Sequence, residues 1–391
     1  MDQRSGFLWL GAGGGACFRA ARRRRVVCGL DGNDGGRRLK GMKVAVSGGT
    51  GFVGSHVVQR LIDEGADQVV LLTRDLKKAW GVFPSKEFPN VDFVYFNSAV
   101  GATRKDEPLL ERKLRDCDAV VNLAGEPLAE GRWTEKRKAE IRNSRVIGTR
   151  RIVSILKRNV LNGSTPTTLI NASAVGFYGT SSTASFDESS PAGKDFLANI
   201  AKAWEAEARR ASADGNRTVL LRLGLVMSID GGALQKLVPV FKAFLGGPVG
   251  TGAQWVSWVH MDDVLDIVTD AIVSDSYSGA YNVTSPQPAR FSEICDELGA
   301  RLGRPSWLPV PSSILNLMLG DSAQLVLKGQ KVLPNPNTWT VKLNNERIQV
   351  KSRVCVSEAC LGKTKQARAT CTKAESRFQH FHMNDSQSHS M

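Results

Sequence analysis

The run Lys43-Val44-Ala45-Val46-Ser47 passes directly into Gly48-Gly49-Thr50-Gly51-Phe52-Val53-Gly54, and then into His56-Val57-Val58-Gln59-Arg60-Leu61-Ile62. The first segment is apolar and reads as a buried strand. The last has apolar positions at helical spacing. Between them, glycines at 48, 51 and 54 make a turn with bare backbone. A strand, a glycine turn and a helix in this order bring backbone N–H groups to a diphosphate at a helix N-terminus. Gly48, Thr50, Gly51, Phe52, Val53 and Gly54 are therefore candidate cofactor-binding residues.

The downstream chain alternates in the same way. Gln68–Arg74, Val91–Phe96, Asp118–Gly125, Thr167–Ala174 and Thr218–Gly224 read as further strands. Amphipathic stretches separate some of them. Trp133 to Arg158 is the longest, with Thr134 as its expected N-cap, and residues 195–210 form another. Strands alternating with helices at this spacing predict an α/β fold, a Rossmann-like doubly wound parallel sheet with right-handed crossovers. From about residue 227 the pattern loosens around Gly231-Gly232, Gly246-Gly247-Pro248 and Gly250-Thr251-Gly252. Residues 291–302 and 314–319 read as helices. The expected division is a leader (1–41), a dinucleotide-binding domain (42–226), a smaller substrate-side domain interleaved with the sheet (227–335), and a divergent tail (336–391).

The second strand carries the choice of dinucleotide. An acid at its end would bond the ribose 2′-hydroxyl, whereas an arginine accommodates a 2′-phosphate. Arg74 stands there, so NADP is expected, with Thr73 and Arg74 as 2′-phosphate contacts. The alternative is that Arg74 is solvated and Asp75 binds the ribose. Strand four ends in Leu123-Ala124-Gly125, small enough for a ribose or flat ring to lie on the backbone. Strand five delivers Ser173 to the same edge.

Charge excludes one class of partner. Residues 1–41 carry +6 and residues 336–391 carry +5, so the body between them holds only +3 of the net +14. A domain that grips phosphate backbones concentrates charge on the fold itself, so nucleic acid is not an expected partner. No run of ~18 apolar residues occurs, and no transmembrane segment is expected. The seven cysteines are scattered, which fits a reduced compartment. The leader, with Arg22-Arg23-Arg24-Arg25 and few acids, reads as an organelle transit peptide or as a disordered extension ahead of a start at Met42. No stable structure is expected before Met42. In the tail, Cys355, Cys360, Cys371, His380 and His382 match no zinc-finger spacing, so no metal is expected and the tail reads as disordered.

Several runs agree in order: Gly48-x-x-Gly51-x-x-Gly54, Asn122-Leu123-Ala124-Gly125, Val146-x-Gly148-Thr149, Asn171-Ala172-Ser173-Ala174-Val175-Gly176-Phe177-Tyr178-Gly179, and Trp258-Val259-His260-Met261-Asp262-Asp263-Val264. Together they resemble the extended short-chain dehydrogenase/reductases of the nucleotide-sugar epimerase type. Gly246-Gly247-Pro248, the run from Arg304 to Pro311 and the run from Gly329 to Pro334 narrow this to an atypical NADP-binding epimerase-family branch. Its plant members, of the giant-chloroplast type, are plastid proteins associated with plastid division. The resemblance covers about 42–335 and implies the chloroplast stroma, with the mitochondrion as the alternative.

The resemblance also implies a Ser–Tyr–Lys set in which a tyrosinate is the acid/base and lysine lowers its pKa. Ser173 fits the serine. The helix that should carry the pair has Phe196 and Ile200 in those slots. Tyr178 is a candidate to supply the phenol from the loop after strand five, or else it packs there. Arg145 stands where relatives have asparagine and could reach a phosphate, and Glu140 could approach the same edge, unless both lie on a solvated helix face. Leu225 is expected to line the nicotinamide side through its backbone. His260 is a further candidate base, or else it holds its loop by hydrogen bonding, with Asp262 and Asp263 capping the next helix. Two nucleotide-binding functions remain open, ahead of a third reading as a structural plastid factor that binds no nucleotide. One is an NADP(H)-dependent oxidoreductase or epimerase acting on an unknown hydroxyl or keto substrate. The other is a non-catalytic NADP-binding sensor or scaffold in plastids. A homodimer or a plastid protein partner is compatible with either.

Overall fold

In the computed structural model, residues 38–99 and 107–335 are described. The leader up to residue 37 and the tail from 336, with the transit-peptide, zinc and disorder expectations attached to them, lie outside the described residues.

The chain runs β1 (Lys43–Ser47), α1 (Phe52–Asp63), β2 (Gln68–Thr73), α2 (Leu76–Val82), β3 (Val91–Tyr95), α3 (Glu107–Leu114), β4 (Ala119–Asn122), α4 (Glu135–Leu161), β5 (Thr168–Ala174), a 3-10 turn (Val175–Tyr178) and β6 (Ser185–Phe186). It continues through α5 (Phe196–Ala213), β7 (Arg217–Leu223), β8 (Leu225–Ser228), α6 (Gly232–Lys242), β9 (Trp255–Val256), β10 (Trp258–His260), α7 (Met261–Val273) and β11 (Gly279–Val283). Last come β12 (Ala289–Arg290), α8 (Phe291–Leu302), α9 (Ser312–Leu319), α10 (Gln324–Leu327) and β13 (Lys331–Val332).

Seven strands form one sheet in the order β11-β7-β5-β4-β1-β2-β3. Every neighbouring pair in it is parallel. Parallel strands are covered on both faces, which is why they read as continuous apolar runs and not as alternation. Successive side chains go to opposite layers. Val44, Val46, Val69 and Leu71 pack with α1, α2 and α7. Ala45, Val70 and Leu72 pack with α3, α4 and α5. Each fully buried Val or Leu contributes roughly 1.5–3 kcal/mol, so these two layers hold the sheet.

Local signals set the helix ends. Thr134 caps α4, its side chain accepting from Arg137 N at 3.2 Å, as expected from the sequence. Asp195 caps α5 in the same way through Ala198 N at 2.8 Å. At α7 the cap is His260 itself, whose Nδ1 accepts from Asp262 N at 3.2 Å. Asp262 and Asp263, expected to cap, lie instead in the first turn, where acids favour the helix dipole.

Residues 38–41 correct the expectation of no stable structure before Met42. They form a turn that places Leu39 fully inside the core. Leu39 N donates to Glu64 O at 3.0 Å, and the Arg38 guanidinium bridges Glu64 at 2.7 Å and Asp270 at 2.6 Å. One buried leucine and a bridging arginine dock the segment.

Outside the seven-stranded sheet, short strands pair as β8 with β10, β9 with β12, and β6 with β13. In β6–β13, Lys331 lies opposite Ser185. Residues 329–335 then run as a strap. Ser257 Oγ bonds Gln330 O and Val332 N, both at 2.8 Å, and Glu188 accepts from Asn282 N and Asn335 N at 2.8 and 3.0 Å. No helix among the described residues is long and apolar enough to cross a membrane.

Candidate functional site

The glycine turn forms the tight approach that its spacing predicts. Gly48 has φ +74°, and a Cβ there would lie 2.9 Å from the Leu123 carbonyl carbon. A Cβ on Gly54 would lie 2.2 Å from Gly48 O, so only glycine lets the first turn of α1 sit against the strand end. Gly51 is the N-cap of α1 and offers no side-chain cap, and no acid stands in the first turn. The neighbouring α2, α4 and α5 all have capping side chains. An uncapped, acid-free N-terminus behind a glycine turn leaves donors for an anion. Thr50 and Val53 flank it. The Phe52 ring stands edge-on to His56 at 5.8 Å and is packed where side chains on Gly231 and Gly232 would lie.

The adenosine end of this crevice holds a charged cluster. Asp75 caps α2, accepting from Lys78 N at 2.9 Å. Thr73 Oγ1 bonds the Asp75 backbone at O (3.2 Å) and N (3.1 Å). Arg74 projects outward and forms an ion pair with Glu126. Arg137 bonds the second Glu126 oxygen at 3.1 Å and Glu140 at 3.2 Å. Burial pushes the Glu126 carboxyl up, but the guanidinium groups of Arg74 and Arg137 outweigh it and hold it below the usual carboxylate range.

At the end of β4, Leu123 N donates to Ser47 O at 3.1 Å and Ala124 N to Ser47 Oγ at 3.3 Å. Behind them is a buried polar chain. Asn122 Nδ2 donates to Thr149 Oγ1 at 2.8 Å and to Asn171 Oδ1 at 2.6 Å, and the Trp204 indole donates to Thr149 Oγ1 at 2.8 Å. Arg145 is not on a solvated face. Its guanidinium lies against Gly125, donates to Glu126 O (3.1 Å) and Ile141 O (3.0 Å), and stands 5.4 Å from the Trp204 ring. Burial pushes its pKa down to about 10.

The end of β5 differs from what a proton-transfer site needs. Ser173 Oγ donates to Glu205 Oε1 at 2.8 Å and is 3% exposed. Arg222 is forked onto the same carboxylate and also donates to the Tyr178 hydroxyl at 2.8 Å. That hydroxyl donates to Asn282 Oδ1 at 2.7 Å. Tyr178 is buried and stacks on Phe186, and burial pushes its phenol pKa up. Phe196 packs on Trp133 at 5.2 Å, and Ile200 joins the same apolar cluster. The two slots where the resemblance implies tyrosine and lysine are therefore packing positions. Leu225 opens β8 and is 40% exposed, with its N–H donating to Ser257 O at 2.8 Å.

The structure thus gathers the glycine turn, Arg74, Leu123–Gly125, Glu140 and Arg145 along one sheet edge, and joins Ser173 to Tyr178 through Glu205 and Arg222. Glu126, Arg137, Glu205 and Arg222 were not singled out from the sequence. Arg222 and Glu205 had a signal, each being a charge in a phase its element buries. Among the described residues no group of three metal-ligating side chains occurs.

Comparison with known proteins identifies the family. The NAD dependent epimerase/dehydratase family matches residues 44–284. The chain is 44% identical over 294 residues to the Arabidopsis thaliana "Epimerase family protein SDR39U1 homolog, chloroplastic", covering 75% of this chain and 80% of that protein. It is 36% identical over 294 residues to the Epimerase family protein YfhF of Bacillus subtilis, covering 75% and 90%. The crystal structure of human epimerase family protein SDR39U1 (isoform 2) with NADPH matches with a TM-score of 0.63 at 32% identity, covering 75% of this chain and 91% of that one. The glycine turn, the strand ends and the buried Ser173 network all lie inside the matched span, and the chain belongs to the NAD dependent epimerase/dehydratase family.

Proposed function

We propose that this chain binds NADP(H) along the edge formed by β1, β2 and β4, and that it works as a nucleotide-binding protein more than as a hydride-transfer catalyst. The observation that carries the cofactor choice is at the end of β2. Asp75 is committed to capping α2, which leaves Arg74 as the side chain available to the adenosine ribose. An arginine there suits a 2′-phosphate. The glycine turn and the uncapped α1 N-terminus would hold the diphosphate. Leu123, Ala124 and Gly125 would lie along the ribose, with Arg145 behind them. Bound there, NADP(H) supplies hydride chemistry, and the human relative crystallised with NADPH supports the same reading.

The Ser173 network favours binding over turnover. The Ser173 proton is directed at Glu205 and so is not offered to a substrate carbonyl. The Tyr178 hydroxyl is enclosed, and Phe196 has no proton to give. A second reading, an NADP(H)-dependent oxidoreductase or epimerase, rests on one feature. The Ser173 oxygen still has lone pairs, so it could accept a hydrogen bond from a substrate hydroxyl and orient it while its own proton remains with Glu205.

Titration with NADPH and NADH, followed by nicotinamide fluorescence, tests the cofactor. Failure to bind either sinks both readings. Incubation with NADPH and a panel of carbonyl and nucleotide-sugar substrates separates them. Binding without loss of NADPH supports the sensor or scaffold. Turnover that survives Tyr178→Phe and is lost in Ser173→Ala supports the oxidoreductase. The chloroplastic relative and the Arg-rich leader favour a plastid location. Residues 1–41 fused to a fluorescent protein should enter chloroplasts, and mitochondrial import would overturn this.

A further inference from the structure

We propose that Glu126 is a built-in substitute for the 2′-phosphate of NADP(H), holding the Arg74 guanidinium when no nucleotide is present and releasing it to the phosphate on binding. This inference rests on the NADP reading above and adds a residue that sets affinity and choice of dinucleotide.

The sheet order supplies the geometry. β1 lies between β2 and β4. Arg74 follows β2 and Glu126 follows β4, 52 residues apart, so their ion pair spans from one flanking strand end to the other past the glycine turn. That is the place where the adenosine ribose of a dinucleotide would lie in such a sheet.

The pair is asymmetric. Glu126 is fixed: its side chain is 13% exposed, its N–H donates to Ser144 Oγ at 3.0 Å, and its carbonyl accepts from Arg145 at 3.1 Å. Arg74 is 59% exposed, and among the described residues its guanidinium has no other hydrogen-bond partner. When Arg74 leaves, Glu126 keeps Arg137 at 3.1 Å and stays compensated. The incoming phosphate monoester carries about −1.5 to −2 charge on three acceptor oxygens, against −1 for the carboxylate. A guanidinium fork binds such a group through paired donors. Exchange is therefore favourable for Arg74 and nearly neutral for Glu126. NADH has no group to take Arg74, so the ion pair stays closed beside it.

The test uses the full chain and compares dissociation constants for NADPH and NADH. Glu126→Gln should tighten NADPH about three- to tenfold and leave NADH within about twofold, as expected for releasing a half-exposed ion pair. In an Arg74→Ala background, Glu126→Gln should leave NADPH within about twofold. Glu126→Asp, which draws the carboxylate back by one methylene, should also tighten NADPH, guarding against a fold defect peculiar to one variant. Weaker or unchanged NADPH binding in Glu126→Gln would overturn the proposal, since Glu126 would then orient Arg74 or be indifferent to it. Equal tightening of both dinucleotides, or tightening that persists without Arg74, would also overturn it by making the effect a general charge change. If the unaltered chain binds neither dinucleotide, the NADP reading itself fails. That outcome is distinct from a null effect of the variants in a chain that binds NADPH.

Discussion

Arg222 on β7 is forked onto Glu205 of α5 by hydrogen bonds of 2.8 and 2.9 Å, with side chains 4% and 3% exposed. The pair joins a central strand to a covering helix. Breaking a buried pair from one side leaves an uncompensated charge, which costs about 3–5 kcal/mol, whereas replacing both members is far milder. Glu205→Leu should lower unfolding free energy by that amount in denaturant titration. Glu205→Leu with Arg222→Met should recover most of it. Equal losses in the single and double variants would refute a charge-compensation role.

Gly54→Ala tests the close approach at the glycine turn. The added Cβ would fall 2.2 Å from Gly48 O, so α1 must move away from the end of β1. NADPH affinity should drop by more than about tenfold, or ~1.4 kcal/mol. Gly131→Ala is the control. Gly131 has φ +69° and an added Cβ there would meet nothing within 4 Å, so that change should cost stability through backbone strain and leave affinity unaltered.

Burial pushes the thiols of Cys117 and Cys295 up to about 12. The thiolate is the reactive form. Native protein treated with iodoacetamide at about pH 8 should show neither residue alkylated by peptide mass spectrometry, and both should label after denaturation. Rapid native labelling of either would show that its site opens.

Acid stability follows from Glu207. Burial raises its carboxyl, and Arg150 and Arg210 outweigh that, so its folded pKa lies below the ordinary 4.5. A lowered folded pKa means stability that is complete above the ordinary value and is lost as pH falls through the folded one. The stability difference between the parent chain and Glu207→Gln should therefore be largest at neutral pH and shrink below about pH 4.5, and salt should reduce it. A pH-independent difference would exclude the ion pairs as its source.

What could be read in advance was local. The turn from β1 to α1, the Thr134 cap and the limits of α8 at Phe291 and Leu302 follow from neighbouring residues, and each was legible. β11 was not, because Gly-Ala-Tyr-Asn-Val has neither alternation nor a long apolar run, and its place beside β7 is settled by tertiary pairing. α6 was obscured by Gly231-Gly232 at its start and Pro239 within it. In the site, the glycines and Arg74 announce themselves by position after a strand. Glu126 and Glu205 acquire meaning only from partners 52 and 17 residues away on other elements. Leu39 was missed because four basic residues around it, Arg37, Arg38, Lys40 and Lys43, mask a single buried side chain.

Glu188 has a consequence for the order of biosynthesis. Its two carboxylate oxygens wait for Asn282 N and Asn335 N, which lie 94 and 147 residues further along the chain. On a ribosome, Ser185, Phe186 and Glu188 emerge long before these partners exist. Closing such long loops is slow, and an unpaired strand edge exposed meanwhile is prone to stray pairing. The nascent chain can assemble β1 through β5 early, but it cannot finish the Tyr178–Asn282 corner until residue 335 is free. Native assembly of this protein is thus completed after most of the chain has been translated, and its vulnerable interval is the one between the emergence of β6 and that of β13.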